Sequence, residues 1–201
     1  MSLWALEERC WAAGHTLVCG ADEAGAGPLA GAVYAGAVIL PRGLELRWLN
    51  DSKQVTAKRR ALLFDEIQAC AVAWSVAAVD EQTIDEINIL NARLLAMERA
   101  IRGLRPAADY ALIDGNRDKW ISLPHKTVIK GDSLSANIAA ASILAKVSRD
   151  RYMERMAEEY PEYGFDRHKG YPTRLHYEVL DRFGPCPIHR KSFLKKWEAR
   201  R

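Results

Sequence analysis

The 201-residue chain is 49% apolar and 27% charged, which fits one globular domain and excludes a disordered or fibrous polypeptide. No stretch approaches the roughly 20 apolar residues of a membrane helix, and the N-terminus, carrying Glu7, Glu8 and Arg9, lacks the apolar run of a signal peptide. The net charge of +3 is unevenly spread: residues 163–201 hold ten Lys/Arg against four Asp/Glu, leaving the preceding body mildly acidic, a layout that suits a polyanion beside an acidic site as well as a solvated tail.

Residues 16–22 (TLVCGAD) predict a first strand, followed by a Gly/Pro-rich turn and a second strand over 32–40 (AVYAGAVIL), the two forming a hairpin. Thr56 is placed to cap a helix running to Cys70, with Leu62, Leu63 and Ile67 on its apolar stripe. Residues 71–79 predict a third strand. Ile84, Ile87, Leu90, Leu94, Met97 and Ile101 recur at helical spacing and predict one helix over 83–104. Residues 108–113 and 126–130 read as two short strands, and Ser135 to Glu159 as a long helix, Ala-rich at first and charged later. Two shorter helices are expected near 175–182 and 192–200. Strands that begin as a meander and then alternate with helices imply an α/β fold with a mixed sheet.

The acids fall in telling places. Asp22 and Glu23 end the predicted first strand, Asp114 ends the fourth, and Asp132 follows the fifth. Carboxylates at the ends of neighbouring strands converge in space although distant in sequence, and a cluster of them calls for cations. Hard oxygen donors favour Mg²⁺ or Mn²⁺ over zinc. Cys10, Cys19, Cys70 and Cys186 form no CxxC pair, which argues against a zinc site or a disulfide framework and fits a reducing cytoplasm. Each acid also has a plainer explanation. Asp114 heads an Asp-Gly-Asn turn, Asp132 competes with Ser133 and Ser135 to cap a helix, and Asp22 and Glu23 face opposite sides of a regular strand. Gly25, Gly27 and Gly31 superficially suggest a dinucleotide fingerprint, but Pro28 and a β-prone run stand where the helix should begin.

The stretches DEAGAGPLAGAV (22–33), NDSK (50–53), DEINILNARLLAM (85–97), LIDGN (112–116), KGDSLSANIAAASILAKVSRD (130–150), HKGYPTRLH (168–176) and PIHRKSF (187–193) together resemble the ribonuclease HII family, in family order and along almost the whole chain. The resemblance implies a ribonuclease H-like fold, a five-stranded mixed sheet flanked by helices over 1–160, with a helical extension over 161–201 packed on it. It implies an endoribonuclease that hydrolyses the RNA strand of RNA/DNA hybrids and cuts 5′ of ribonucleotides embedded in a DNA duplex. Asp22, Glu23, Asp114 and Asp132 match the family's metal-binding acids, which hold two Mg²⁺ or Mn²⁺ ions. Tyr171 matches the residue that stacks on a sugar beside the ribonucleotide, and the Gly25–Ala26–Gly27 backbone is expected to contact its 2′-hydroxyl. Ser52, Lys53, Lys146 and Lys169 are candidate phosphate contacts, while His125 and His189 read as structural, with no chemistry assigned to His168 or His176. A cytoplasmic protein working as a monomer, without a membrane partner, is the corresponding expectation. One departure stands out: Ala26 occupies the position where the family usually has Arg, and alanine supplies no planar cationic donor. Cleavage is therefore expected to survive with weakened recognition of single ribonucleotides. The alternative is a catalytically impaired hybrid-binding protein of the same fold.

Overall fold

The structure, a computed structural model, describes residues 2–49 and 56–200. Ser52 and Lys53 lie outside the described residues. Helix α1 (Ala5–Ala12) precedes a sheet made of β1 (Val18–Ala24), β2 (Val33–Ile39), β3 (Ala73–Val79), β4 (Tyr110–Asp114) and β5 (His125–Val128). The strand order is β3-β2-β1-β4-β5. β2 runs antiparallel to both β1 and β3, whereas β4 is parallel to β1 and β5 parallel to β4. The mixed sheet follows from the order of elements: a meander with short connections, then two strands reached through helices. The ladder between β1 and β2 continues to the pair Ala24–Tyr34, so Asp22 and Glu23 lie within β1 and not at its last position. Thr16 and Leu17 lie before β1 because their amides are bound by the Asp109 carboxylate, at 2.7 and 3.1 Å.

Helices cover both faces. On one side, α4 (Ile89–Arg102) buries Leu94, Met97 and Ile101 against Cys19, Ala21, Ala35 and Ala37. On the other, α5 (Ala136–Glu159) packs with α2 (Ala57–Cys70). The Ala-rich start of α5 is there because the sheet comes very close. A Cβ at Gly20 would lie 2.2 Å from the Asn137 carbonyl carbon, and one at Gly36 would lie 2.4 Å from the Ala141 carbonyl oxygen. Small residues on both surfaces permit that approach, and Asn137 bridges it, accepting from Leu40 N at 2.8 Å and donating to Val18 O at 3.1 Å.

Two elements differ from the sequence expectation. The apolar stripe over 83–104 belongs to two helices, α3 (Glu81–Ile87) and α4, broken at Asn88, whose φ is +64°. Asn tolerates that left-handed backbone, and its side chain caps α4 by accepting from Asn91 N at 3.2 Å. The turn also swings Leu90 outward, where it is 54% exposed. Helix α1 had no distinct periodicity, yet it is locked in place by Glu7, which accepts from Ser135 Oγ at 2.5 Å and from Asn137 N at 3.1 Å. Ser135 caps α5 through Ile138 N at 3.1 Å. Asp132 instead sits in a 3₁₀ turn, Gly131–Ser133.

Residues 161–200 carry α6 (Phe165–His168), α7 (Arg174–Phe183) and α8 (Lys191–Glu198). They pack on the charged half of α5 and on the loop between β1 and β2, through Met153, Tyr163, Phe165, Ile188 and Ala30. The loop is bracketed by backbone hydrogen bonds from Leu29 N to Gly170 O (2.8 Å), Gly31 N to Ile188 O (2.9 Å) and Arg190 N to Leu29 O (2.8 Å). Among the described residues, no helix is long and apolar enough to cross a membrane.

Candidate active site

The parallel register of β1 and β4 pairs Ala21 with Ile113, so Asp22 and Asp114 each lie one step further along at the same sheet end. Asp22 is 7% exposed and shares the α5 face of β1 with Gly20. It accepts a hydrogen bond from Ser142 and from Glu23 N, the latter at 2.7 Å. Burial first, then the charges of Glu23 and Asp114, push its carboxyl well above the usual carboxylate range. Glu23 points to the α4 face, as strand alternation requires, and its Oε1 accepts from Arg93 Nη1 at 3.0 Å. Burial raises the Glu23 carboxyl, Arg93 opposes that, and Asp114 adds to it. Asp114 Oδ1 accepts from Gly131 N at 2.6 Å, which ties the end of β4 to the turn carrying Asp132, itself 7% exposed.

A cavity of about 320 Å³ opens beside these acids, lined by Glu23, Gly25, Arg60, Asp132, Ser142, Lys146 and Tyr171. Two carboxylates, two cations and an aromatic ring thus share one wall system, an arrangement that suits a charged phosphodiester more than an apolar ligand. Among the described residues, no three His, Cys, Asp or Glu side chains are gathered into a ready-made cation cage. Glu23 is instead turned onto Arg93, Asp22 onto Ser142 and Asp114 onto the Gly131 amide. The donor chemistry nevertheless fits a divalent cation. The acids are oxygen donors, Asp22 is raised by two acidic neighbours, and neither His nor Cys lines the cavity, which suits Mg²⁺ or Mn²⁺.

Of the other sequence candidates, Lys146 reaches the cavity and pairs with Asp150 at 2.5 Å. Lys169 does not line it and pairs with Glu154 at 2.8 Å. Gly27 is exposed, and a Cβ there would lie 3.8 Å from the Tyr171 ring. Ala26 is half-buried beside it.

The sequence reading passed over Arg60, Ser142 and Arg93, and also two buried cations that hold the loop after β1. Arg190 donates to the carbonyls of Gly25 (2.7 Å), Ala26 (3.2 Å) and Gly31 (2.6 Å). Arg149 donates to those of Ala30 (3.2 Å), Ala32 (3.3 Å) and Lys169 (3.0 Å). Desolvation, then repulsion from Arg149, pushes Arg190 down to about 9, so it remains charged at neutral pH. Gly25 adopts φ +95°, and a Cβ there would lie 2.0 Å from Arg149 Nε; only glycine fits over that guanidinium. Both arginines lie in stretches already singled out, KVSRD and PIHRKSF, and that location was the available signal.

Residues 19–196 match the family described as Ribonuclease HII. The chain is 51% identical over 190 residues to the ribonuclease HII of Caldicellulosiruptor saccharolyticus, covering 94% of this chain and 93% of that protein. It is 53% identical over 183 residues to that of Pelodictyon phaeoclathratiforme, covering 88% and 89%. Among solved structures, the ribonuclease H2 of Pyrococcus horikoshii superposes with a TM-score of 0.76 at 27% identity, over 92% of this chain and 98% of that one. An RNase HIII crystallised with Mn²⁺ superposes with a TM-score of 0.64 at 18% identity, over 84% and 63%, a likeness of fold alone. A five-stranded sheet with acids gathered at one end, and relatives matched over nearly their full length, lead to one assignment: the chain belongs to the ribonuclease HII family, metal-dependent endonucleases that act on RNA/DNA hybrids.

Proposed function

We propose that this chain hydrolyses the RNA strand of RNA/DNA hybrids and also cuts 5′ of ribonucleotides embedded in DNA, with Asp22, Glu23, Asp114 and Asp132 holding two Mg²⁺ or Mn²⁺ ions. When bound, such ions supply an activated water and stabilise the departing 3′ oxygen, which gives 5′-phosphate and 3′-hydroxyl ends. Lys146 and Arg60 orient the backbone through phosphate contacts, and Ser52, Lys53 and Lys169 have the same role. Tyr171 stacks on a sugar beside the ribonucleotide, and the Gly25–Gly27 backbone meets the 2′-hydroxyl, the group that distinguishes RNA from DNA. These contacts avoid base edges, so cleavage is largely independent of sequence. Residues 161–201 serve as a substrate-side extension of the 1–160 body, in a protein that works as a cytoplasmic monomer.

A single observation carries this reading. Glu23 from β1 and Asp132 from the turn after β5 share one cavity with Arg60, Lys146 and Tyr171. Product mapping on a uniform hybrid, and on a DNA duplex with one ribonucleotide, tests it. The expected result is cutting that requires Mg²⁺ or Mn²⁺ and leaves 5′-phosphates; cutting that survives chelation, or that leaves 3′-phosphates, overturns it.

Ala26 bears on the second substrate. With no guanidinium at this position, binding of a lone ribonucleotide rests on the loop backbone held by Arg190. Ala26→Arg is expected to lower KM on the single-ribonucleotide duplex by about tenfold, the scale of one charge-assisted contact, with a smaller change on the uniform hybrid. Equal rates for both proteins on both substrates refute the assigned cost of Ala26.

A further inference from the structure

Behind Tyr171 lies a run of hydrogen bonds that the proposed reaction does not use. His168, His176 and His189 are 8%, 0% and 3% exposed and come from α6, α7 and the segment before α8. The rings of His168 and His176 stack with centroids 4.3 Å apart. Their partners fix each tautomer. A carbonyl oxygen only accepts, so the 3.0 Å contact of His176 Nδ1 with Tyr171 O makes Nδ1 the donor. A neutral ring has one N–H, so His176 Nε2 accepts, and His189 Nε2, 3.0 Å away, donates to it. His189 Nδ1 then accepts from Cys186 N at 2.9 Å, the shorter of its two backbone contacts there, and its 3.2 Å approach to Cys186 O carries no proton. Burial pushes both rings down to about 4, so the neutral forms prevail at neutral pH. The bonds run one way: Cys186 amide, His189, His176, Tyr171 carbonyl.

The other side of the same turn is held as well. Tyr171 N donates to His168 O at 2.8 Å. His168 in turn accepts from Gly170 N at 3.2 Å and donates to Tyr163 O at 2.8 Å. Both backbone polar groups of Tyr171 are therefore fixed, the carbonyl by His176 and by Thr173 N at 2.8 Å, while the residue is 40% exposed and its ring lies 5.7 Å from the Arg149 guanidinium. A stacking ring gains affinity when its orientation is set before the ligand arrives.

We propose that His176 and His189 are positioning residues for Tyr171, acting in series through its carbonyl to set the attitude in which its ring meets the nucleic acid. This rests on the reading of Tyr171 as the stacking residue. The test measures affinity for an RNA/DNA hybrid by fluorescence anisotropy, with Ca²⁺ in place of Mg²⁺ so that binding is read without turnover. Tyr171→Ala is expected to bind about tenfold more weakly, and His176→Leu five- to tenfold more weakly. Combined, they bind no more weakly than Tyr171→Ala alone, because the histidine acts only through the ring. His189→Gln, whose amide N–H stands where the imidazole Nε2–H was, stays within about twofold of wild type, whereas His189→Met weakens binding several-fold. Losses that multiply in the double variant overturn the positioning role. If His176→Leu loses its cooperative melting transition, the His189 pair decides: weaker binding by Met alone supports the proposal, and equal binding by Met and Gln overturns it. Unchanged binding by Tyr171→Ala overturns the stacking reading itself, and the proposal with it.

Discussion

Asp22 is a buried acid with two acidic neighbours and a serine hydroxyl, and its charged form is costly until a cation arrives. Replacing it with Asn removes the charge and keeps the shape. In metal-free buffer Asp22→Asn is expected to melt at or above the wild-type temperature, since one repulsive charge is gone. It should also lose most of the rise in Tm that Mg²⁺ gives the wild type, because ligand stabilisation scales with affinity. Hydrolysis should fall by more than the roughly 10–100-fold that removing an outer partner of a metal ligand costs. Thermal melts with and without Mg²⁺ check the first two points, and an undiminished Mg²⁺-induced shift would remove Asp22 from the ligand set. At this scale the placement of the acids toward one end of the sheet was legible in the sequence, because the order of strands and turns brings them there whatever surrounds them. Arg149 and Arg190 were not. A buried cation that spends its N–H groups on backbone carbonyls looks, in sequence, like any solvated charge, and Arg149 lies in the half of α5 where charges are frequent. Arg60 was hidden for a similar reason, sitting in the run KRR at the start of α2.

Among the elements, α5 and the β1–β2 hairpin form the platform that fixes Asp22. Its geometry depends on glycine: Asp22 pairs across the ladder with Gly36, and a Cβ on Gly36 would lie 2.4 Å from the Ala141 carbonyl oxygen, one residue before Ser142. Helix backbone cannot move aside as a flexible side chain can. Gly36→Ala is therefore expected to destabilise by about 1–3 kcal/mol, the usual cost of overpacking, and to lower activity in the folded fraction by shifting Ser142 away from Asp22. Urea denaturation together with kcat measured below the melting range checks this; wild-type stability would mean that the helix rides out from the sheet at little cost. The strands and the long helix were legible because burial on two faces leaves short, continuous β-prone runs closed by turn residues, and because the Ala-rich run from Ser135 is too long for a strand. The break at Asn88 was not, since one residue in the left-handed region leaves the apolar spacing on either side intact. Helix α1 was equally hidden, because what secures it is Glu7 reaching the start of α5, 128 residues away from Ser135 in the chain.

Across the whole molecule, the C-terminal segment and the body are joined through the loop after β1, whose carbonyls Arg190 and Arg149 bind. The imidazoles that tie this joint together must be neutral to do so, and that gives the fold an acid limit. His176 and His189 fall to about 4 in the folded protein, against about 6.5 for an unfolded chain. Between those values the unfolded state binds more protons, so stability is whole above pH 6.5 and is lost as pH falls toward 4. Protonating His176 at Nε2 also sets two N–H groups against each other across the 3.0 Å gap between the Nε2 atoms, and protonating His189 at Nδ1 sets one against the Cys186 amide. The titratable neighbour acting on both rings is His168, which lowers them further; Glu162 and Glu81 act on Cys186, and Asp166 on His168. The buried carboxyls work in the opposite sense: Glu7, Asp22 and Glu23 are raised, so their protonation favours the folded state as pH falls. Comparing wild type with His189→Gln cancels that common contribution, since the amide keeps the hydrogen bond to His176 and does not titrate. The difference in unfolding free energy between the two proteins should be flat above pH 7 and should move in favour of His189→Gln by on the order of 2 kcal/mol by pH 5. Denaturation at four or five pH values would resolve it. Parallel stability curves would mean that His189 titrates alike in the folded and unfolded protein, and the one-way order of donors behind Tyr171 would then have to be redrawn.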